Sequence, residues 1–377
     1  MLRTVRLTLP PYYSRHDYFG GGFTKPPLSV YILRHGAALR QAASAQCLLT
    51  KHPGLDRFSD SEELNPLWIF LRARVRQGAK QHCHNTLHIF LRRIQRGAFS
   101  APARKCLFLW WVISMQPIEI IKAIEEIAPL AAAAGWDVSG QQVAAHRQDV
   151  ARLAVCLDPT PASVRTALEK GAQFVLSHHP LLLKAVLPNR LDDYHEVLRL
   201  LFQADVPLYA AHTSLDVNAY GPAGWLARAL ELRNLAVLEP VAPAVGNDLP
   251  LGFGLAGDLP RAMTVAQIAG IIARNAPLAT ATVSGPEPQT ITRVAYCTGS
   301  GSSLLGAAQA ADAQLFITGD VKYHTALAAE ICLLDVGHHS LEEEMMLRMS
   351  RLLQQRLPET EVFFVPSASP FRPVALS

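Results

Sequence analysis

Histidine and carboxylate side chains recur in three segments of the sequence, each directly after a short apolar run. The segments are Ser177-His178-His179-Pro180, Ala211-His212-Thr213-Ser214-Leu215-Asp216 and Gly337-His338-His339-Ser340-Leu341-Glu342. Neutral imidazole and carboxylate are ligands that borderline transition metals accept. An apolar run that ends in such residues is typical of a buried strand with a ligand at its carboxyl end. The three segments therefore indicate one shared site for divalent metal ions.

The elements that would position these residues alternate between strand and helix from residue 115 onwards. Predicted strands cover residues 152–157, 174–177, 207–211, 294–297, 315–318 and 332–336. Helical patterns with short connections lie between them, which predicts an α/β fold with a largely parallel sheet covered by helices. Sites in such folds form beyond the carboxyl ends of the strands. Four strands end in polar residues that would then share one pocket, namely His178, His212, Asp320 and His338.

The adjacent histidines can both serve as ligands only where a strand ends, because neighbours on a regular strand point to opposite faces. Pro180 supports a turn at this point, since it disfavours helix at His179. Each imidazole would then bind a different ion. The alternative is that His178 and His179 are ordinary surface or core histidines.

Two further pairs are spaced four residues apart. Asp216 can supply a carboxylate oxygen to one ion, and His212 could orient a ligand or transfer a proton. Glu342 lies on the same helical face as His338 and could bridge two ions. The alternatives are that Asp216 caps the following helix and that Glu342 belongs to a solvated acidic first turn.

Weaker candidates follow the strand at residues 315–318. Asp320 and Lys322 are candidates for substrate contact, and His324 is a candidate for proton transfer. The loop at 298–303 could bind an anion through its backbone N–H groups. Because it lacks the lysine of a P-loop, a tight turn is the favoured interpretation.

The first 114 residues differ in composition from the rest of the chain. They hold 17 Lys and Arg against 5 Asp and Glu, a net charge of +12, whereas residues 115–377 carry −8. Weak periodicity and Gly20-Gly21-Gly22 predict a poorly ordered basic extension or an over-extended gene start, with Met115 opening an amphipathic helix. The alternative is a targeting or nucleic-acid-binding arm. We expect no nucleic-acid partner for residues 115–377.

Cysteine usage and hydropathy limit the class of protein. The six cysteines form no Cys-x-x-Cys pair, which disfavours thiolate zinc and iron–sulfur sites. Cys156, Cys297 and Cys332 fall in predicted strands, where buried free thiols indicate a reducing compartment. The longest uncharged apolar run, at 106–115, is about half of what a bilayer span needs. We therefore expect a cytoplasmic protein with no membrane partner.

The order of these motifs resembles that of the NIF-three-like dinuclear metal centre proteins, the type 2 homologues of GTP cyclohydrolase I. The resemblance covers residues 115–377. It includes Trp136-Asp137-Val138-Ser139-Gly140, which is similar to the family's early W-D-N-x-G stretch, and Ala154-Val155-Cys156-Leu157-Asp158. It also includes Thr318-Gly319-Asp320 with His324. Two residues depart from the family's pattern: Val138 replaces an Asn, and Pro159 stands where Val is common. Both lie outside the ligand set, so they bear on how a substrate fits and not on metal binding.

The resemblance implies two similar, intertwined α/β domains with mixed, largely parallel sheets, in the short form without the family's inserted domain. We expect residues 115–240 and 291–377 to form a metal-binding lobe and 241–290 to be part of a smaller second lobe. The resemblance further implies a homohexameric ring and two divalent cations per subunit, which could be zinc, iron, manganese or nickel. It assigns five ligands, with the glutamate bridging: His178, His179, Asp216, His338 and Glu342.

Two functions remain open on these observations. The first is a metal-dependent hydrolase of a nucleotide-like or phosphorylated small molecule, in which two ions activate water and stabilise developing negative charge. The second is a non-enzymatic metal-binding scaffold or regulatory protein that acts as an assembled ring.

Overall fold

The computed structural model describes residues 115–243 and 248–374 with their side chains, and four strands within the first 114 residues as backbone. The chain divides into two compact units, Met1–Ser114 and Met115–Ser377. The first unit contains strands β1 to β4, which are Arg3–Val5, Ser29–Leu33, Trp68–Arg74 and Phe108–Ser114. These strands pair in sequence order within one sheet. The prediction of a poorly ordered extension falls mostly on residues outside the described part of the chain.

The second unit contains two sheets, of which the first has five strands. Its strands are β5 Gly140–Val143, β6 Arg152–Cys156, β7 Phe174–Ser177, β8 Leu208–Ala210 and β15 Glu361–Phe364. They lie in the order β15-β6-β7-β8-β5. The first four are parallel to one another, and β5 runs antiparallel to β8.

The second sheet has six strands with a parallel centre. Its strands are β9 Arg233–Ala242, β10 Leu251–Met263, β11 Thr282–Ser284, β12 Ile291–Ser300, β13 Leu315–Gly319 and β14 Cys332–Asp335. They lie in the order β11-β14-β13-β12-β10-β9, with β12, β13 and β14 parallel and the outer strands antiparallel. Two such sheets confirm the predicted α/β fold class. The predicted lobe boundaries stay a prediction, although strand pairing places residues 251–263 and 291–335 in the same sheet.

Helices connect the strands and cover the sheets. The helices are α1 Pro117–Glu125, α2 Pro161–Glu169, α3 Asp193–Ala204, α4 Thr213–Asp216, α5 Trp225–Ala229, α6 Val265–Asn275, α7 Leu305–Ala310, α8 Tyr323–Leu327 and α9 His338–Arg356. Helix α2 begins at Pro161 because the Thr160 hydroxyl accepts a hydrogen bond from Ser163 N at 3.1 Å. No helix in the described part of the chain is long and apolar enough to cross a bilayer.

Helix α9 packs against strands of both sheets and buries several of its apolar side chains completely. Met345, Met349 and Leu353 have no exposed surface, and burial of such a side chain contributes roughly 1.5–3 kcal/mol. The acidic residues of its first turns are buried as well, with Glu342 only 3% exposed. The alternative interpretation of these acidic residues as a solvated turn is therefore wrong.

Candidate metal centre

The structure brings the five predicted ligands to one place. His178 and His179 directly follow β7, Asp216 ends α4, and His338 and Glu342 lie on the first turns of α9. His178 Nε2 lies 3.4 Å from Glu342 Oε1 and 3.9 Å from Asp216 Oδ2. Glu342 Oε2 lies 3.1 Å from His179 Nε2 and 2.8 Å from His338 Nε2. The side chains therefore converge on the two oxygens of one buried carboxylate.

Two triplets within this cluster have the spacing that a metal ion requires. His178 and Asp216 form one triplet with Glu342, and His179 and His338 form the other with the same glutamate. In each triplet, the ligand atoms lie within 4.8 Å of one another. Glu342 is the residue that the two triplets share, so its carboxylate is a candidate metal ligand in both.

The imidazoles are oriented by oxygen acceptors on their far side. When the ring of a histidine is neutral and its Nδ1–H donates to an oxygen, its Nε2 carries no proton, so the hydrogen bonds fix the tautomer of the neutral ring. The acceptors are Ala211 O for His178 at 2.8 Å, Asp158 Oδ1 for His179 at 2.7 Å and Asp320 Oδ2 for His338 at 2.7 Å. In the neutral rings, all three Nε2 atoms can therefore act as metal ligands in the centre.

Two polar atoms in the centre have no hydrogen-bond partner among the described residues. They are His178 Nε2 and Glu342 Oε2, both fully buried. The Nε2 atoms of His179 and His338 lie near Oε2, but in neutral rings whose proton is on Nδ1 they have no hydrogen to donate. A buried polar atom left unpaired costs about 1–3 kcal/mol. A divalent cation would satisfy these atoms, so the donor set fits a metal ion.

Gly299, at the end of β12, leaves the space that the carboxylate occupies. A Cβ atom at this position would overlap Glu342 Oε1 and lie 3.2 Å from His338 Nε2. The residue has a φ of +60°, which favours glycine. Its neighbour Thr298 donates to Asp216 Oδ1 at 2.8 Å. The loop at 298–303 therefore shapes the centre.

His212 forms a third triplet with His178 and His179. Its Nδ1–H donates to Asp137 Oδ1 at 2.8 Å, so the neutral ring has an unprotonated Nε2. Burial raises the pKa of Asp137, but hydrogen bonds from His212, Ser139 and other neighbours outweigh burial and hold this pKa well below its usual range. The ionised carboxylate fixes the imidazole beside the two other triplets.

Carboxylates control the protonation of the imidazoles in the metal-free protein. Burial opposes the charged form of His179, but Asp158 and Glu342 raise its pKa to about 10. Burial likewise opposes the charged form of His338, but Glu342 raises its pKa to about 9. Burial raises the pKa of Asp216. Protons and divalent cations therefore compete for the same negatively charged centre.

The remaining predicted site residues lie in different surroundings. Asp320 orients His338, whereas the sequence predicts a substrate contact for it. Lys322 and His324 are exposed, and no hydrogen bond or ion pair in the described part of the chain joins either of them to the cluster. Their predicted roles in substrate contact and proton transfer stay predictions.

Sequence reasoning missed the roles of Asp137, Asp158 and Gly299. Asp158 follows the apolar strand β6, which is the same signal that marks the ligands, so this residue could have been found. Asp137 stands in a recognised motif, but nothing in the motif indicates its partner.

The model of a family described as Duf34/NIF3 (NGG1p interacting factor 3) matches residues 115–370. The chain belongs to the DUF34/NIF3 family. A relative from Clostridium perfringens, named GTP cyclohydrolase 1 type 2 homolog, is 29% identical over 254 residues, covering 66% of this chain and 95% of the relative. The NIF3-like protein 1 of Drosophila melanogaster is 29% identical over 257 residues, covering 65% of this chain and 84% of the relative.

Solved structures similar to this chain include DUF34/NIF3-related proteins. A Staphylococcus aureus protein superposes with a TM-score of 0.62 and 25% identity, covering 69% of this chain and 99% of the other. A Bacillus cereus protein related to NIF3 superposes with a TM-score of 0.61 and 23% identity, with the same coverage. These matches confirm the predicted DUF34/NIF3 resemblance and its fold.

Proposed function

We propose that the chain binds two divalent metal ions in this centre and is a metal-dependent hydrolase of a nucleotide-like or phosphorylated substrate. One observation carries the proposal: two ligand triplets share a buried glutamate, and two of their facing atoms, His178 Nε2 and Glu342 Oε2, have no hydrogen-bond partner among the described residues. Histidine and carboxylate ligands accept zinc, iron, manganese and nickel, so cellular supply would select the metal.

Each residue of the cluster has a role in this proposal. His178 and Asp216 would hold one ion, His179 and His338 would hold the other, and Glu342 would be a ligand to both. Such ions would supply Lewis-acid chemistry, lowering the pKa of water and neutralising negative charge that develops on a phosphorylated substrate. Fixed acceptors behind the imidazoles keep the ligand atoms in place, so little reorganisation is needed when the ions bind.

His212 is the member of the cluster that the two ion-binding triplets leave free. Its Nε2 faces both His178 and His179, while Asp137 holds Nδ1 and would stabilise an imidazolium. A carboxylate–imidazole pair in this position suits transfer of a proton to or from a reacting group. We therefore favour His212 over the exposed His324 for proton transfer.

The test is turnover by the purified protein loaded with manganese, iron or zinc. The substrate panel contains nucleotides and phosphoesters, and it includes GTP because relatives carry the name GTP cyclohydrolase 1 type 2 homolog. We expect metal-dependent turnover that Glu342→Gln abolishes. If every metal-loaded form is inert across the panel, the hydrolase proposal is wrong and the non-enzymatic scaffold takes its place.

We also propose that the chain assembles with copies of itself as a hexameric ring. Support comes from the segment after the paired histidines, which exposes apolar side chains to solvent. Leu183 and Val186 are each 55% exposed, Leu187 is 78% and Leu191 is 91% exposed. Such a patch often marks a protein contact. Light scattering should give six times the 41.2 kDa chain mass, and a monomer mass would contradict the proposal.

A further inference from the structure

Trp136 lies at the rim of the metal centre and remains 65% exposed, although indole is a large apolar group. Its ring centroid lies 5.9 Å from that of His212, at an interplanar angle of 75°. The His212 ring lies in turn 5.2 Å from His178 and 5.5 Å from His179. One imidazole therefore separates the exposed indole from the ligands.

The backbone on both sides of Trp136 is fixed by hydrogen bonds. Asp137 N donates to Ala134 O at 2.9 Å, and Ala134 N donates to Thr213 Oγ1 at 3.0 Å. The Asp137 carboxylate accepts from His212 Nδ1 at 2.8 Å and from Thr213 N at 3.1 Å. The carboxylate that orients His212 thus also anchors the residue beside Trp136.

An exposed indole next to a site for anionic groups offers a stacking surface for an aromatic ring. Its edge-on contact with His212 leaves most of the ring surface uncovered, and flat apolar rings prefer aromatic partners in offset stacks. Bases stack on aromatic side chains without regard to sequence, because every base has a π-face. Because hydrogen bonds already hold the backbone next to the indole, less entropy is lost when the ring binds a partner.

We propose that Trp136 stacks on the aromatic ring of a substrate whose phosphate binds at the metal centre, so that the substrate class is a nucleotide. The inference rests on the proposed function, which supplies the anion site. To the anion site the inference adds a binding surface for the base, which Trp136 provides.

The test is calorimetric titration of the zinc-loaded full chain with GMP and with ribose 5-phosphate, which lacks the base. We expect the wild type to bind GMP about tenfold more tightly, since stacking of one base contributes about 1–3 kcal/mol. Trp136→Ala should remove this preference and leave the zinc content and the ribose 5-phosphate affinity unchanged. Trp136→Tyr should retain part of it. Phe202→Ala is the matched control, because Phe202 is 63% exposed on α3.

The outcomes separate this inference from the proposed function. Equal affinity of the wild type for the two compounds would overturn stacking while leaving the anion site intact. Failure of both compounds to bind protein that holds its zinc would contradict the phosphorylated substrate class and stacking with it. A Trp136→Ala protein with unchanged GMP preference but an altered solution mass would show that the indole is a subunit contact, and the inference would be wrong.

Discussion

Gly299→Ala should damage the metal centre although it leaves every ligand in the sequence. The added Cβ would overlap Glu342 Oε1 and lie 3.1 Å from Glu342 Cδ and 3.2 Å from His338 Nε2. Because Glu342 is buried on α9, its carboxylate can avoid the methyl group only by leaving the position between the two triplets. The φ of +60° at residue 299 adds a cost of about 1–2 kcal/mol for any residue with a Cβ.

We expect the metal-free variant to lose about 1–2 kcal/mol of stability from the backbone alone. Loss of a partner that merely orients a ligand lowers metal affinity by about 10–100-fold, so displacement of the bridging carboxylate should lower it by about 100-fold or more. Calorimetric titration with zinc and thermal denaturation of the metal-free protein measure the two effects.

Gly306→Ala is the control for this substitution. Gly306 lies in α7, and no atom lies within 4 Å of the Cβ that alanine would add. The control should keep the zinc affinity of the wild type and gain about 0.4–1 kcal/mol of stability. Wild-type zinc affinity in Gly299→Ala would refute the reasoning that the space at this glycine shapes the centre.

Three further predictions concern the charges around the imidazoles. Asp158→Asn weakens the acceptor behind His179 and should lower zinc affinity by about 10–100-fold in calorimetry, and an unchanged affinity would show that this contact does not orient the ligand. Zinc must displace protons from His179 and His338, whose pKa values are about 10 and about 9, so affinity should rise with pH by about tenfold per unit for each displaced proton. Titration at pH 7 in buffers of different ionisation enthalpy counts these protons, and a count of zero would contradict the prediction. The folding stability of the metal-free protein should instead fall as pH rises. The raised pKa values of His179 and His338 add stability that is present below about pH 6.5 and is lost as pH rises through about 9 to 10.

The parts of the fold that the sequence predicts are those with a local signal. Strand β7 has the predicted bounds because its apolar run ends at a polar pair, and α6 begins after Thr264, whose capping box is visible in the sequence. Strand β9 was not predicted, because its ten residues are mostly half-buried or exposed and include Pro240. Helix α9 begins directly at His338, because Gly337 at a φ of +76° turns the chain from the end of β14 into the helix.

The convergence of the predicted ligands could be inferred because each follows a strand that can be recognised by itself. The contacts that complete the centre join residues far apart in the chain. Asp137 bonds to a histidine 75 positions away, and the pairing has no periodic or compositional trace. At residue 299, the space of the missing side chain is filled by Glu342, which lies on a separate element far along the chain.

Anomalous diffraction from crystals of the manganese- or zinc-loaded protein tests the central claim most directly. We expect two peaks, one on each side of the Glu342 carboxylate: one next to His178 and Asp216 and the other next to His179 and His338. An absence of peaks in this cluster under metal-replete conditions, or metal bound only elsewhere in the protein, would contradict it.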